Sequence, residues 1–220
     1  MQTQTLAIRR PSPTSDRAAV DQARITAVAL RLFAEYGYRA TTMADIASEM
    51  GIRGPSLYKH IRAKHEMLGE IMVDTMHSLI ALQRTAIDAG GNNSVRLRRV
   101  VETHVRYHAT HRERAFVGNR EIGNLRPPHA DRVLALRDAY EHNLRGVIEA
   151  GRASGEFTVA HPRLVSYAIL DMGKGVAAWF RSDGPYSADQ IAYIYADMAI
   201  GMATGVGGDG DHRDGKRKGT

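Results

Sequence analysis

Apolar residues along this chain recur at helical rather than strand spacing. Ile25, Val28, Ala29, Leu32, Phe33 and Tyr36 fall at i, i+3, i+4, i+7, i+8 and i+11, a single helical stripe. Gly37 follows where a helix C-terminus favours glycine. Thr42-Met-Ala-Asp45 has the form of a capping box, with aspartate in place of the usual glutamate, and opens a short helix ending near Met50-Gly51. Gly54-Pro55 starts a second short helix to about Ile61, because proline presets φ and loses no needed hydrogen bond there. Leu68, Ile71, Met72, Met76, Leu79, Ile80 and Ile87 predict a long helix from Lys64 to Ile87. Gly90-Gly91-Asn92-Asn93 interrupts the pattern, and helices follow over Val95–Ala109 and Arg112–Leu125. After Pro127-Pro128, the stripe Val133, Leu136, Tyr140, Leu144, Val147, Ile148 predicts a helix over Asp131–Ala153. Pro162 opens another to about Phe180, and Ser187-x-x-Gln190 caps a last one to about Ala203. No segment alternates with period two, so the expected fold class is all-α, with about nine helices.

Composition narrows the function classes. The chain has 220 residues, 43% hydrophobic and 25% charged, which fits a folded globular protein. It has no cysteine, which excludes disulfides, thiolate catalysis and cysteine-ligated metal. No apolar run approaches a membrane span, and the N-terminus lacks a signal-peptide core, so the expected compartment is cytoplasmic. The net charge is +6, and the first 68 residues, with 10 basic and 6 acidic side chains, hold +4 of it. Gly51 to His65 carries Arg53, Lys59, Arg62 and Lys64 and no acid, a footprint that fits a polyanion partner as well as a solvated basic face. Residues 1–18, with three arginines, two prolines and several hydroxyl residues, are expected to form a flexible arm, and 205–220 a disordered tail.

The two short helices joined by Gly51-Ile52-Arg53-Gly54 have helix-turn-helix form. In such a unit the second helix enters the major groove, here presenting Pro55, Ser56, Tyr58, Lys59 and His60. Hydroxyls and the helix N-terminus suit phosphate, and lysine reaches phosphate or guanine. A helical packing unit with incidental basic residues would show the same pattern.

Residues Thr41 to Lys64, TTMADIASEMGIRGPSLYKHIRAK, preceded by Phe33-x-x-Tyr36-Gly37-Tyr38, resemble the DNA-binding signature of TetR-type transcriptional regulators. The resemblance covers about residues 20–70, and the remainder by architecture and length. It implies a helix-turn-helix domain over 19–68 and an effector-binding and dimerisation domain over 69–204. It implies that Thr42 contacts phosphate, that Ser56, Tyr58, Lys59 and His60 face DNA, and that Lys64 holds backbone phosphate. Arg53 stands in the turn where the family more often has serine. Ile61 replaces a common aromatic, and Ala63 replaces a capping residue at a cost of about 1 kcal/mol.

The implied function is a ligand-responsive regulator, by family habit a repressor, that binds a palindromic operator as a homodimer and releases it on binding a small molecule. It would be no enzyme and would need no cofactor: no P-loop, GxSxG, HExxH or DxDxDG loop occurs. The last two helices would form the dimer interface through Gly173, Ala177, Phe180, Tyr193, Tyr195 and Met198. Trp179 to Ser187 resembles the corresponding junction in regulators of fatty-acid or steroid-derived catabolism, which implies an acyl-CoA or other apolar acid as effector. Met76, Tyr107, His108, Arg120, Asn124 and Trp179 are the candidate pocket residues, and the Lys64–Ile87 helix the lever toward DNA. His104, His108 and His111, at i, i+4 and i+7, offer a competing metal-responsive reading, although Arg106, Arg112 and Arg114 nearby oppose a cation. A helical enzyme, or an adaptor that has lost DNA binding, would be the remaining alternatives.

Overall fold

A computed structural model describes residues 13–205, with side chains from Gln22 onward. Among them are nine α-helices and no strand: α1 (Pro13–Tyr36), α2 (Met43–Glu49), α3 (Gly54–Leu57), α4 (Lys64–Asp88), α5 (Asn93–Thr110), α6 (Arg112–Arg120), α7 (His129–Ala153), α8 (Pro162–Trp179) and α9 (Ala188–Thr204). A 3₁₀ turn, Ile122–Asn124, follows α6. α1 begins at Pro13, so 13–18 are helical where a flexible arm is expected; a proline in the first turn has its φ already set for the helix. The rest of the expected arm, 1–12, and the tail from 206 lie outside the described residues. α3 is shorter than the expected Pro55–Ile61. It passes into a turn after Leu57, with both His60 and Ile61 donating to the Leu57 carbonyl. The expected helix over 112–125 is likewise divided into α6 and the 3₁₀ turn.

The helix boundaries follow local chemistry. Asn92 and Ser187 cap α5 and α9 by accepting from Val95 N (3.0 Å) and Gln190 N (3.1 Å), and Gln190 returns a bond to Ser187 N (2.8 Å). No helix among the described residues is long and apolar enough to cross a membrane.

The chain forms two compact units. The first contains the residues through His77 together with Glu113–Ala135, so it is larger than the segment 19–68. Its interior includes Ile25, Ala29, Leu32, Phe33, Ile46, Ala47, Leu57, Ile61, Leu68, Ile71, Val117 and Val133. Tyr36, expected on the α1 stripe, is 61% exposed, and Tyr38 is buried instead, edge-on to Phe33 at 5.3 Å. Gly37 causes the exchange: its φ of +88° turns the chain and leaves the second tyrosine facing inward.

The second unit contains Ser78–Arg112 and Leu136 onward. α5 packs against α8 and α9, and α8 against α9. Small residues make this possible: Ala192, Ala196, Ala199 and Ala203 of α9 are fully buried, and Gly173 of α8 lies against the His104 ring of α5.

Candidate nucleic-acid interface

The helix-turn-helix is held by reciprocal backbone capping. Thr42 Oγ1 accepts from Asp45 N (3.1 Å), and the Asp45 carboxylate accepts from Thr42 N (2.7 Å) and Thr42 Oγ1 (2.8 Å). These bonds hold the Asp45 carboxyl below the usual carboxylate range. At the other end of α2, Ile52 N donates to Ala47 O and Gly51 N to Ser48 O, the paired bonds of a Schellman motif. Gly51 has φ +69°, so the turn that redirects the chain into α3 depends on glycine.

α3 inserts Leu57, fully buried, and turns its other side outward. Arg53, Pro55, Tyr58, Lys59 and His60 are exposed and Ser56 is half-buried. Tyr58 is 55% exposed. Ile61 is buried and fills the slot of the expected aromatic. Thr42 is exposed beside this face, at the N-terminus of α2, where a helix favours an anion.

Lys64, which the resemblance assigns to backbone phosphate, also makes bonds within the protein. Its ammonium donates to Tyr38 O (2.7 Å) and Thr41 O (2.5 Å) and lies 4.3 Å from the Tyr38 ring centroid. Partial burial pulls its pKa down, against the nearby Asp45 and Glu121 charges. An ammonium has three donors, so one N–H remains for an outside acceptor. Lys64 therefore fastens the 37–42 loop to α4 before any DNA arrives. Thr41 strengthens that loop from inside, its hydroxyl bonded to the Leu32 (3.2 Å) and Gly37 (2.9 Å) carbonyls. On the loop's outer side Tyr38 N donates to Glu121 Oε1 (3.3 Å), Asn124 Nδ2 to Glu121 Oε2 (2.5 Å) and Arg39 Nε to Asn124 Oδ1 (2.8 Å). The sequence signature points to Lys64 and Thr41–Thr42. Nothing in it signals Glu121 and Asn124, which lie more than 80 positions from their partners.

The candidate pocket residues separate by unit. Met76, Arg120 and Asn124 belong to the first. Asn124 bonds within the loop network, and Arg120 is exposed with its guanidinium 4.7 Å from the Phe116 ring. Tyr107 and His108 are buried in the second unit; Trp179 is 49% exposed. Trp179 borders a cleft of about 300 Å³ with Arg112 and Arg181.

The histidines of the stripe are engaged within the protein. His104 Nε2 donates to the Leu170 carbonyl (3.1 Å), which leaves Nδ1 to accept from the Tyr140 hydroxyl (3.0 Å). His108 Nδ1 donates to the His104 carbonyl (2.8 Å). His111 is exposed, stacked on Tyr107 at 4.4 Å, with Nδ1 against Thr110 Oγ1 (2.9 Å). Among the described residues no group of three His, Asp or Glu is placed to hold a metal. Burial drives His104 well below the usual imidazole value and His108 down to about 4, so both rings are neutral at pH 7.

Of the expected dimer-face residues, Tyr193 and Met198 are 57% and 50% exposed and Tyr195 is partly so. Gly173, Ala177 and Phe180 are buried within the protomer. The small side chains of α8 serve its approach to α5, and its exposed face carries Leu164 and Tyr167 instead.

Comparison with known proteins agrees with this arrangement. A model described as "Bacterial regulatory proteins, tetR family" matches residues 25–71, and one described as "Tetracyclin repressor-like, C-terminal domain" matches 90–203. The HTH-type transcriptional repressor KstR2 of Mycobacterium tuberculosis is 30% identical over 185 residues, 82% of this chain and 91% of that one. The solved structure of the ketosteroid transcriptional regulator KstR2 of Mycobacterium tuberculosis has a TM-score of 0.78 at 27% identity, covering 84% of this chain and 95% of that one. A bacterial regulatory protein in the tetR family from Rhodococcus RHA1 gives 0.79 at 31% identity, covering 83% and 96%. The chain belongs to the TetR family of bacterial regulatory proteins: it is a helix-turn-helix transcriptional regulator.

Proposed function

We propose that the protein binds a palindromic operator as a homodimer and is released by an apolar carboxylic acid or its CoA thioester, of the kind that breakdown of a steroid or fatty acid supplies. The observation that carries the DNA half is the outward face of α3 and its turn, where Arg53, Tyr58, Lys59 and His60 are exposed beside the Thr42 cap. On DNA, Lys59 and Arg53 neutralise phosphate or reach guanine. Tyr58 and Ser56 bond phosphate oxygens, Pro55 packs on the sugar edge, His60 lies at the groove wall and Thr42 meets a phosphate at the start of α2. The remaining N–H of Lys64 adds a further phosphate bond.

The exposed apolar residues of α8 and α9 support the homodimer. Leu164 (63%), Tyr193 (57%) and Met198 (50%) are large and exposed, as are Tyr167 and Ile194, an apolar share that suits a face covered by a second copy. A two-fold protein matches two half-sites one helical turn apart.

The effector class rests on the relatives. KstR2 carries "ketosteroid" in the name of its structure, and this chain is about 30% identical to KstR2. Tyr107 and His108, buried and with a neutral imidazole, suit the apolar body of such a ligand better than a free metal ion. Release requires only that the effector favour the conformer that binds the operator less well, a coupling of about 1–3 kcal/mol. The test is titration of the preformed protein–DNA complex with steroid-ring and fatty acyl-CoA thioesters, the free acids, and Zn or Ni. Release by a CoA thioester or free acid, by five-fold or more in affinity, is expected. Release by a divalent metal alone would overturn the effector class.

A further inference from the structure

We propose that Glu121, far from the helix-turn-helix in sequence, is a positioning residue for operator binding: its carboxylate holds the 37–42 loop in the pose from which Thr42 and α2–α3 meet DNA. The inference rests on the operator-binding reading above. Glu121 directly follows α6 and continues its bonding, with its own N–H on the Val117 carbonyl (2.9 Å). One carboxylate oxygen takes the Tyr38 backbone N–H and the other takes the Asn124 amide, while Asn124 turns its oxygen to Arg39. The Tyr38 N–H follows immediately on the positive-φ residue Gly37, so the acceptor fixes the peptide at the point where the chain leaves α1. Tyr38 O and Thr41 O then receive the Lys64 ammonium, which itself feels the Glu121 charge. The loop is thus held between an anion after α6 and a cation at the start of α4, and it ends at the Thr42 cap.

A carboxylate beside a DNA-binding surface is unfavourable for DNA on charge alone. Its removal should tighten non-specific binding, since the local potential becomes more positive. Positioning predicts the opposite for the operator. The two effects therefore differ in sign and can be read on one protein.

The experiment compares the full chain with its Glu121→Ala and Glu121→Gln variants on two duplexes of equal length. One is the preferred sequence selected from random DNA and the other is a scramble of it, each at several salt concentrations, alongside thermal unfolding. Glu121→Ala should bind the selected duplex about ten-fold more weakly while its affinity for the scramble stays level or rises. Glu121→Gln keeps an acceptor and should lie within about three-fold of wild type on the selected duplex. Unchanged or tighter operator binding by Glu121→Ala overturns the proposal. So does equal loss on both duplexes, or a Gln variant no better than Ala. Should Glu121→Ala not fold, Asn124→Ala removes one donor to the carboxylate and the acceptor of Arg39, and the same ratio is read on it. A wild-type protein that prefers no sequence would overturn the operator reading itself, an outcome distinct from an unaffected variant.

Discussion

Lowering the pH from 7.5 toward 4.5 is expected to cost this fold a large part of its stability, through two imidazoles that are buried neutral. His104 is 2% and His108 3% exposed, and desolvation is the first cause of both depressed values. The sign follows from proton counting. In the unfolded chain a histidine takes up its proton near pH 6.5, whereas His108 folded does so at about 4. Between those values the unfolded state binds more protons, so stability falls as pH falls and levels off for this group below about 4. For His108 alone the loss is on the order of 3 kcal/mol across the window, and His104 adds a loss in the same direction. The Leu170 carbonyl works the other way and favours a protonated His104, but burial, the neighbouring His108 and Lys174 outweigh it, and Lys174 opposes a positive charge on His108 as well. Glu156, held down at about 2 first by the Ser94 backbone N–H, adds a loss of the same sign as the unfolded carboxylate protonates near 4.5, which is why the measurement stops at about pH 5. Urea unfolding at fixed protein concentration from pH 7.5 to 5 should show falling stability with uptake of between one and two protons. His108→Asn, which keeps a donor for the His104 carbonyl, should remove nearly one proton from that slope. Stability that is flat or rises on acidification between pH 6.5 and 5 would contradict the neutral-pair assignment.

Gly173→Ala is expected to be a severely damaging single-methyl change in the second unit. A Cβ there would sit 2.5 Å from His104 Nε2 and nearer still to a ring carbon. The ring cannot swing away without surrendering its bonds to Tyr140 and Leu170. Overpacking costs about 1–3 kcal/mol and each buried bond left unmade about 1–3 more, so a loss of about 3–5 kcal/mol follows. Gly146→Ala in α7 is the control. Nothing lies within 4 Å of its Cβ, and a helix-interior alanine there should stabilise by about 1 kcal/mol. Calorimetry and light scattering separate the two possible roles of Gly173. Packing within the protomer lowers the melting temperature, whereas a residue of the dimer face would shift the monomer–dimer equilibrium and leave the protomer's stability intact.

The long helices were readable because period and punctuation coincide. The stripe of α4 from Leu68 to Ile80 is buried throughout, and the capping boxes at Thr42 and Ser187 form as their spacing implies. The outward residues of α3 were readable for a related reason: a turn glycine, a capping threonine and a short helix with one buried leucine leave few ways to orient α3. Direction of burial was harder. Gly173, Ala177 and Phe180 are apolar at helical spacing, and small residues permit close approach to any helix, whether in the same protomer or another. Period alone does not tell α5 from a partner. Tyr36 and Tyr38 exchanged places for a local reason, the left-handed turn at Gly37, which the sequence marks only with a glycine. Lys64, which the resemblance assigns to phosphate, also bonds two carbonyls within the protein. Glu121 and Asn124 had no local signal, because a contact over 80 residues leaves none in a single sequence.

The central claim is that the α3 face reads DNA through its charges, and the salt dependence of operator affinity tests it most directly. Wild type and Lys59→Ala are titrated with the selected duplex over a range of salt, with the stoichiometry of the complex determined at saturation. Wild type should prefer the selected duplex, bind as two chains per palindrome and lose affinity linearly in log salt. Lys59→Ala should bind more weakly with a slope shallower by about 0.9 for each lost phosphate contact, hence by about twice that where both chains of the dimer lose one. A wild-type protein indifferent to sequence, or a Lys59→Ala slope equal to wild type, would contradict the account.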